Sequence, residues 1–235
     1  VVPRDGSSAA VEPLGLEVQS YALTPDETRF VFIADAFTEQ RFVLLSQARS
    51  GGAATVLNGP LAAGGDVGDF QLTADGQRVV YWASETAGYG IHVAPVDSAG
   101  SSLFLNACVN AQFGFRLASG TGRVVFRMNF LGSSRTELAS VPIDGSAPPT
   151  VLSHATGPST VDVEDDFALT SGGERVVFRS DRFVDGKLEL FSAPVDGSAA
   201  PVQLSPAMPD TSDVGVGFLL SPDGATVAWR ADAAV

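Results

Sequence analysis

The sequence predicts an all-β fold in which one unit of four antiparallel strands is repeated along the chain. Two observations predict it. One segment occurs five times, and each copy starts 45 to 52 residues after the last: YALTPDETRFVF from Tyr21, FQLTADGQRVVY from Phe70, FRLASGTGRVVF from Phe115, FALTSGGERVVF from Phe167 and FLLSPDGATVAW from Phe218. A second segment occurs between these copies and ends at Leu14, Leu57, Leu105, Leu152 and Leu204. Self-similarity at such a period is the signature of a repeat architecture.

Each unit consists of short β-branched and aromatic runs, such as RVVF and TVL, without a sustained helical period. Asp-Gly pairs separate several of these runs and suit tight hairpins, because glycine accepts the positive φ that such turns need. In the second unit, strands A to D are predicted at Phe70–Thr73, Arg78–Ala83, Ile91–Val96 and Ser102–Asn106. Four antiparallel strands per unit, repeated at this length, predict the blades of a β-propeller.

We expect a single propeller domain over residues 1–235, with repeat units that start near residues 17, 66, 111, 162 and 213. Residues 1–14 resemble the end of strand C and strand D, and residues 213–235 resemble strands A and B. Together they predict a fifth, composite blade that both termini close. The path from Leu220 through Val235 to Leu23 covers 38 positions, 7 to 14 fewer than the internal repeats. A piece of a longer array is therefore the alternative.

The composition excludes several partners and sites. The chain has 14 Lys and Arg against 27 Asp and Glu, for a net charge of −13, whereas binding to a phosphate backbone needs basic residues in excess. We therefore expect no nucleic acid. No apolar run is long enough for a membrane span, and no leader is visible. The single cysteine, Cys108, excludes an intrachain disulfide and a multi-cysteine zinc site.

The connections from strand D to the next strand A are predicted to carry the function. From the last leucine to the next aromatic residue they span 7, 13, 10, 15 and 14 positions, whereas the aromatic residues of strands A and B are always 11 apart. Variable loops on a rigid scaffold are where function concentrates. The D-to-A connections contain nine acids and no Lys or Arg: Glu17, Asp66, Asp69, Asp162, Glu164, Asp165, Asp166, Asp210 and Asp213. We expect them to surround one end of the central channel and attract cations or basic peptides.

These acids have two interpretations that stay open. They bind a cation or a basic peptide, or they only keep the acidic protein soluble. The densest group, Asp162, Glu164, Asp165 and Asp166, offers oxygen ligands of the kind that calcium takes, without EF-hand spacing. A structural calcium ion is the one cofactor that the sequence suggests. Arg116, the single charge inside a strand A, is predicted to face the channel and pair with these acids. The arginines that begin strand B are predicted to pair with turn carboxylates such as Asp26 or Asp75: Arg29, Arg78, Arg123 and Arg175.

The repeat core L-[ST]-x-D-G-x-x-V-x-[FW], present as LTADGQRVVY and LSPDGATVAW, resembles the TolB-type WD40-like (PD40) propeller repeat. The resemblance extends over essentially the whole chain and implies a propeller. Together with the single lysine, Lys187, it also implies a bacterial protein of the periplasm or the secreted fraction. The chain departs from TolB because it has no preceding α/β domain. Its third and fourth copies also replace Pro-Asp-Gly with SGTG and SGGE.

No catalytic motif accompanies the repeats. The Gly-x-Ser-x-Gly elbow of serine hydrolases does not occur, and the two histidines, His92 and His154, lie in different units. The sequence therefore predicts a non-enzymatic binding or scaffolding propeller that engages a protein or peptide through the acidic loop face. The alternative is an accessory propeller domain of a larger hydrolase or lyase whose catalytic residues lie outside this chain.

Overall fold

The computed structural model describes residues 17–36, 41–106, 109–130, 135–154, 162–206, 208–209 and 212–232. This part of the chain contains β-strands, turns and irregular segments, and none of it is helical. The predicted all-β class is confirmed. Across these ranges there is also no helix with the length and hydropathy of a membrane span.

The strands follow the predicted order of A, B, C and D within each unit. In the first two units they are β1 (Glu17–Leu23), β2 (Arg29–Asp35), β3 (Phe42–Ala48), β4 (Thr55–Val56), β5 (Val67–Leu72), β6 (Arg78–Glu85), β7 (Gly88–Pro95) and β8 (Leu103–Phe104). In the next two they are β9 (Val109–Ala118), β10 (Arg123–Phe130), β11 (Thr136–Pro142), β12 (Thr150–Val151), β13 (Ala168–Leu169), β14 (Arg175–Ser180), β15 (Glu189–Pro194) and β16 (Val202–Gln203). The last pair is β17 (Leu219–Leu220) and β18 (Val227–Ala228).

Four sheets contain four strands each, in the sequential order of a meander, and β17 pairs with β18 in a fifth sheet of two strands. Neighbouring strands pair antiparallel, as β1 does with β2, β10 with β11 and β14 with β15. The predicted four-stranded blades are therefore confirmed for four units. The two strands that would complete the fifth sheet were predicted from residues 1–14, which lie outside the described residues. Blade number and ring closure remain predictions.

The strands of the second unit differ from their predicted bounds in a way that the backbone explains. Strand A starts earlier, at Val67, because a bulge between Val67 and Asp69 lets pairing continue beyond the repeat motif. Strand B extends to Glu85 and strand C starts as early as Gly88, because only two residues join them. Strand D is only two residues long in each of the four-stranded sheets.

The chain divides into two compact bodies, which differ from the repeat units and are called unit 1 and unit 2. Unit 1 contains residues Val1–Ala87 and Ala94–Ser102, and unit 2 contains Gly88–Val93 and Leu103–Val235. The core of unit 1 is built around Val31, Leu44 and Tyr81, and that of unit 2 around Phe167, Phe178 and Phe191. These side chains come mainly from strands A, B and C, where the β-branched and aromatic runs of the repeat lie.

The A-to-B turns have the predicted glycine conformation. Gly76 and Gly224 have φ values of 68° and 69°, which glycine adopts without strain. In the second unit the turn is closed by Asp75, whose Oδ1 accepts the Thr73 hydroxyl at 2.6 Å and the Gln77 N–H at 3.0 Å. These hydrogen bonds lower the pKa of Asp75, the Thr73 bond most. Glu27 occupies the position of Gly76 in the first unit, with φ of 55°.

Three of the four arginines that begin strand B bond to strand C serines, whereas they were predicted to pair with turn carboxylates. The Nε atoms of Arg29, Arg123 and Arg175 donate across the sheet to the hydroxyl groups of Ser46, Ser140 and Ser192 at 2.8, 3.0 and 2.9 Å, respectively. The turn carboxylates are already occupied by local hydroxyl and N–H donors. Arg78 has Val93 in place of this serine, and its charge contributes to the low pKa of Asp75.

Candidate functional site

Three of the predicted loop acids bind the backbone of the preceding sheet. Asp66 accepts the N–H of Phe42 at 2.9 Å in unit 1. In unit 2, Asp162 accepts the N–H of Thr136 at 2.6 Å, and Asp213 accepts the N–H of Leu188 at 2.7 Å. Each donor lies at the start of a strand C. A carboxylate that accepts a backbone N–H makes a charge-assisted hydrogen bond, so these three acids fasten each connection to the sheet before it.

A buried valine follows each of these aspartates, and in unit 2 its backbone adds a second hydrogen bond to the same attachment. Val67, Val163 and Val214 are at most 1% exposed. The N–H of Val163 donates to the carbonyl of Thr136 at 3.0 Å, and that of Val214 to the carbonyl of Leu188 at 2.9 Å. We call this pair the Asp-Val clamp. It is visible in the sequence as DVGD, DVED and DVGV, and an alignment of these three Asp-Val pairs is the signal that locates it, whereas a count of charges does not.

The densest acidic segment is partly neutralised by an arginine from strand B. Arg179, with a side chain 3% exposed, places Nε 3.0 and 2.8 Å from the two carboxylate oxygens of Asp166 and Nη2 3.8 Å from Glu164. Its Nη1 also donates to the carbonyl of Val214 at 3.0 Å. The D-to-A connections contain no basic residue, but the base that compensates them comes from β14. Sequence order could not show this, because the contact depends on how the strand end meets the loop.

Arg116 does not form the predicted ion pair with the loop acids of the described residues. Its side chain is exposed, its Nη1 donates to the carbonyl of Phe115 at 3.1 Å, and its Cζ lies 5.7 Å from the centre of the Phe167 ring. Within the described ranges it forms no ion pair with a carboxylate. The predicted pairing is replaced by a cation–π contact with the next strand A.

The predicted calcium ligands are not arranged around a common point. Asp162 is committed to the Thr136 N–H and Asp166 to Arg179, while Asp165 is exposed. In the part of the chain that the structure describes, no three His, Cys, Asp or Glu side chains form a group that could hold a metal ion. The geometry therefore gives no support for calcium at Asp162, Glu164, Asp165 and Asp166.

The remaining predicted acids have separate environments. Glu17 is exposed at the start of β1, and Asp69 accepts the N–H of Phe70 at 2.8 Å. Asp210 lies outside the described residues.

One part of the loop face in unit 2 combines free acidic and apolar surface. Oδ2 of Asp166 accepts the N–H of Gly217 at 3.3 Å, so two successive D-to-A connections touch. Beside this contact Asp165 is exposed, and Val216 and Leu219 are 61% and 71% exposed. We call Asp165, Val216 and Leu219 the loop-face patch. Contiguous exposed apolar surface is a feature of sites that bind another chain, whereas single exposed apolar residues are ordinary.

Comparison with known proteins places the chain by its fold. No family model matches it, and no curated protein matches it in sequence. Prolyl oligopeptidase B from Galerina marginata, in its apo form, is similar over 92% of this chain and 34% of its own, with 12% identity and a TM-score of 0.60. A prolyl endopeptidase matches over 85% of this chain and 31% of its own, with 14% identity and a TM-score of 0.53.

An oligogalacturonate lyase in complex with manganese matches over 91% of this chain and 58% of its own, with 14% identity and a TM-score of 0.51. The regions that match are propeller domains, so the comparisons support a β-propeller fold. At these identities the likeness concerns the fold alone. This chain spans about a third of the length of the two peptidases and 58% of the lyase.

Proposed function

We propose that this chain is a non-enzymatic binding propeller that holds a protein or peptide segment against the loop face of unit 2. The observation that carries the proposal is the hydrogen bond between Asp166 and the N–H of Gly217. It joins two connections that Asp-Val clamps already fix to the sheets behind them. The loop-face patch is therefore displayed on a rigid base, and a preorganised surface loses less entropy when it binds.

The chemistry of the loop-face patch favours a segment with basic and apolar side chains. Asp165 accepts no hydrogen bond from a described side chain and offers its charge to a Lys or Arg, while Val216 and Leu219 offer apolar contact. The net charge of −13 adds a long-range attraction for a basic segment. The clamp aspartates take no direct part in this binding, because their carboxylates are bound to backbone N–H groups.

A peptide of alternating lysine and leucine residues tests the proposal by titration calorimetry at low and at high salt. We expect binding that salt weakens and that Asp165→Asn weakens by roughly threefold to tenfold, as for a charge at an interface. Glu174→Gln is the matched control, since it removes the same charge from the exposed A-to-B turn at the other end of the sheet. Equal affinity for Asp165→Asn and Glu174→Gln, or no heat with the peptide, would contradict the proposal.

The second candidate is an accessory propeller domain of a larger hydrolase or lyase. It is favoured by the comparisons, which cover 85% to 92% of this chain but only 31% to 58% of the matched enzymes. In that case the bound segment is a substrate or a neighbouring domain of the same protein. The chain alone is then expected to cleave neither a chromogenic prolyl peptide nor oligogalacturonate with manganese. Turnover of either substrate would contradict both proposals.

TolB-type ancestry and a periplasmic or secreted bacterial location would agree with the binding role. Both rest on the repeat motif, and a signal peptide in the flanking coding sequence would support the location.

A further inference from the structure

A cavity of about 400 Å³ lies in unit 2 beside the outer strands β15 and β16. It is lined by Phe183, Val184, Lys187, Glu189, Gln203 and Ser205. Its volume is near the lower end of the range for small-molecule sites. The cavity lies apart in sequence from the D-to-A residues of the loop-face patch, and the inference drawn from it goes beyond the proposed function.

The buried carboxylate of Glu189 is only half satisfied by the protein. The residue is 8% exposed, and its Oε1 accepts the Nε2 amide of Gln203 at 2.9 Å. No other described side chain donates to it, so Oε2 is available to the cavity that Glu189 lines. Oε2 is not among the buried polar atoms of the described residues that lack a partner, so it meets solvent in the cavity, and a cationic donor there would form a charge-assisted hydrogen bond with it.

Glu137 occupies the same position in the preceding sheet of unit 2. Unlike that of Glu189, its carboxylate has a hydroxyl donor and an arginine partner within the protein. It accepts a hydrogen bond from the Ser153 hydroxyl, and Arg135, two residues before it, reaches it at 3.7 Å. Around Glu189 both partners differ. Lys187, which corresponds to Arg135, donates instead to the carbonyl of Met208 at 2.9 Å. Ser205, which corresponds to Ser153, accepts the Leu190 N–H at 3.2 Å and does not donate to Glu189.

Glu85, the buried glutamate of unit 1, has both carboxylate oxygens hydrogen-bonded by the protein. Glu85, 4% exposed, accepts the Tyr81 hydroxyl at 2.6 Å, the Gly59 N–H at 2.7 Å and the Ser102 hydroxyl at 2.8 Å. Glu189 is thus distinguished from both other buried glutamates of the described residues by an oxygen that opens into a cavity.

The walls beside Glu189 suit the rest of a cationic ligand. The ring of Phe183 is 47% exposed, with the guanidinium of Arg182 5.2 Å from its centre, and its remaining exposed surface can pack against an apolar stem. Val184, 55% exposed, supplies apolar surface. Lys187, which also lines the cavity, donates to the Met208 carbonyl, and it forms no ion pair with Glu189 among the described residues.

From these contacts we propose that the cavity binds an organic ammonium or guanidinium group carried on a short apolar stem. The cationic N–H groups donate to Oε2 of Glu189, and the stem packs against Phe183 and Val184. A free alkylamine and a lysine or arginine side chain of another protein share this chemistry.

The test is an NMR titration of the whole chain with n-butylammonium, with N-acetyl-lysine methylamide and, as a neutral match, with n-butanol. We expect both cations to shift the resonances of the cavity residues and n-butanol to bind at least roughly tenfold more weakly, since its hydroxyl can donate to Glu189 but lacks the positive charge that strengthens the hydrogen bond. Tighter binding of the lysine derivative than of n-butylammonium indicates a protein side chain as the source. The reverse order indicates a free amine.

Variants separate this site from a general attraction of cations to an acidic protein. E189Q is expected to weaken cation binding roughly tenfold or more, whereas the matched variant E137Q is expected to leave it unchanged. F183L alters an exposed side chain and is expected to weaken it severalfold even if E189Q fails to fold. Unchanged binding in E189Q or in F183L, equal weakening in E137Q, or no shift of the cavity residues at millimolar cation would overturn the proposal.

Discussion

Asp162 and Thr136 hold each other at two points: the Asp162 carboxylate accepts the Thr136 N–H at 2.6 Å, and the N–H of the adjacent Val163 donates to the Thr136 carbonyl at 3.0 Å. The same arrangement joins Asp213 and Val214 to Leu188. Such a clamp attaches the first residues of one repeat to the third strand of the repeat before it. The acids that sequence analysis assigned to binding are therefore partly elements of the scaffold.

Asp162→Ala is expected to destabilise the chain by about 1–3 kcal/mol, because it leaves the Thr136 N–H without its acceptor. Urea denaturation measures the change. Asp165→Ala is the control from the same segment, with an exposed side chain and an expected effect within about 0.5 kcal/mol. If both variants lose the same stability, the clamp is not a structural contact.

Gly76→Val is expected to lower the free energy of unfolding by at least about 1–2 kcal/mol, since a β-branched residue is strained at a φ of 68°. A Cβ atom there would also lie 2.8 Å from Cδ of Pro25. Ala74→Val changes an exposed neighbour in the same turn and is expected to have little effect. Chemical denaturation decides between them, and an unchanged midpoint for Gly76→Val would refute the turn assignment.

Acid is expected to weaken the A-to-B turns. Hydrogen bonds from the Thr73 hydroxyl and then from the Gln77 N–H lower the pKa of Asp75 below its ordinary value of 3.8. A carboxylate with a lower pKa in the folded state stabilises that state above its unfolded pKa, and the contribution is lost as pH falls through the folded pKa. Asp75→Asn should therefore be less stable than the parent at neutral pH, and the difference should shrink in acid.

The measurement is the urea midpoint of parent and Asp75→Asn from neutral pH to below 3.8, the ordinary pKa of Asp. Asp165→Asn serves as the control for a carboxylate that no described side chain binds. A parent-to-variant difference that stays constant through the acid range would show that the turn hydrogen bonds do not depend on the ionised Asp75.

The sequence predicts the secondary structure well where local chemistry determines it. The positive φ of Gly76 and Gly224 and the order of strands A to D follow from turn residues and β-branched runs close together in the chain. In the second repeat unit strand D was predicted over Ser102–Asn106 but covers only Leu103–Phe104.

The candidate site was less predictable, since its contacts join residues far apart in sequence. Arg179 and Asp166 are 13 positions apart, Asp162 and Thr136 are 26, and Asp166 and Gly217 are 51. A count of charges in one loop cannot show which are paired with another strand. The open oxygen of Glu189 could not be predicted either, because Glu137 has the same sequence position and a different set of partners.

Hydrogen–deuterium exchange with and without the lysine–leucine peptide tests the binding role most directly, because it locates the contact as well as detecting it. The account predicts slower exchange in residues 162–166 and 212–220, around the Asp166–Gly217 contact and the loop-face patch, with unchanged exchange at the A-to-B turn that contains Glu174. Protection confined to the A-to-B turns, or no protection at a peptide concentration that saturates binding, would contradict it.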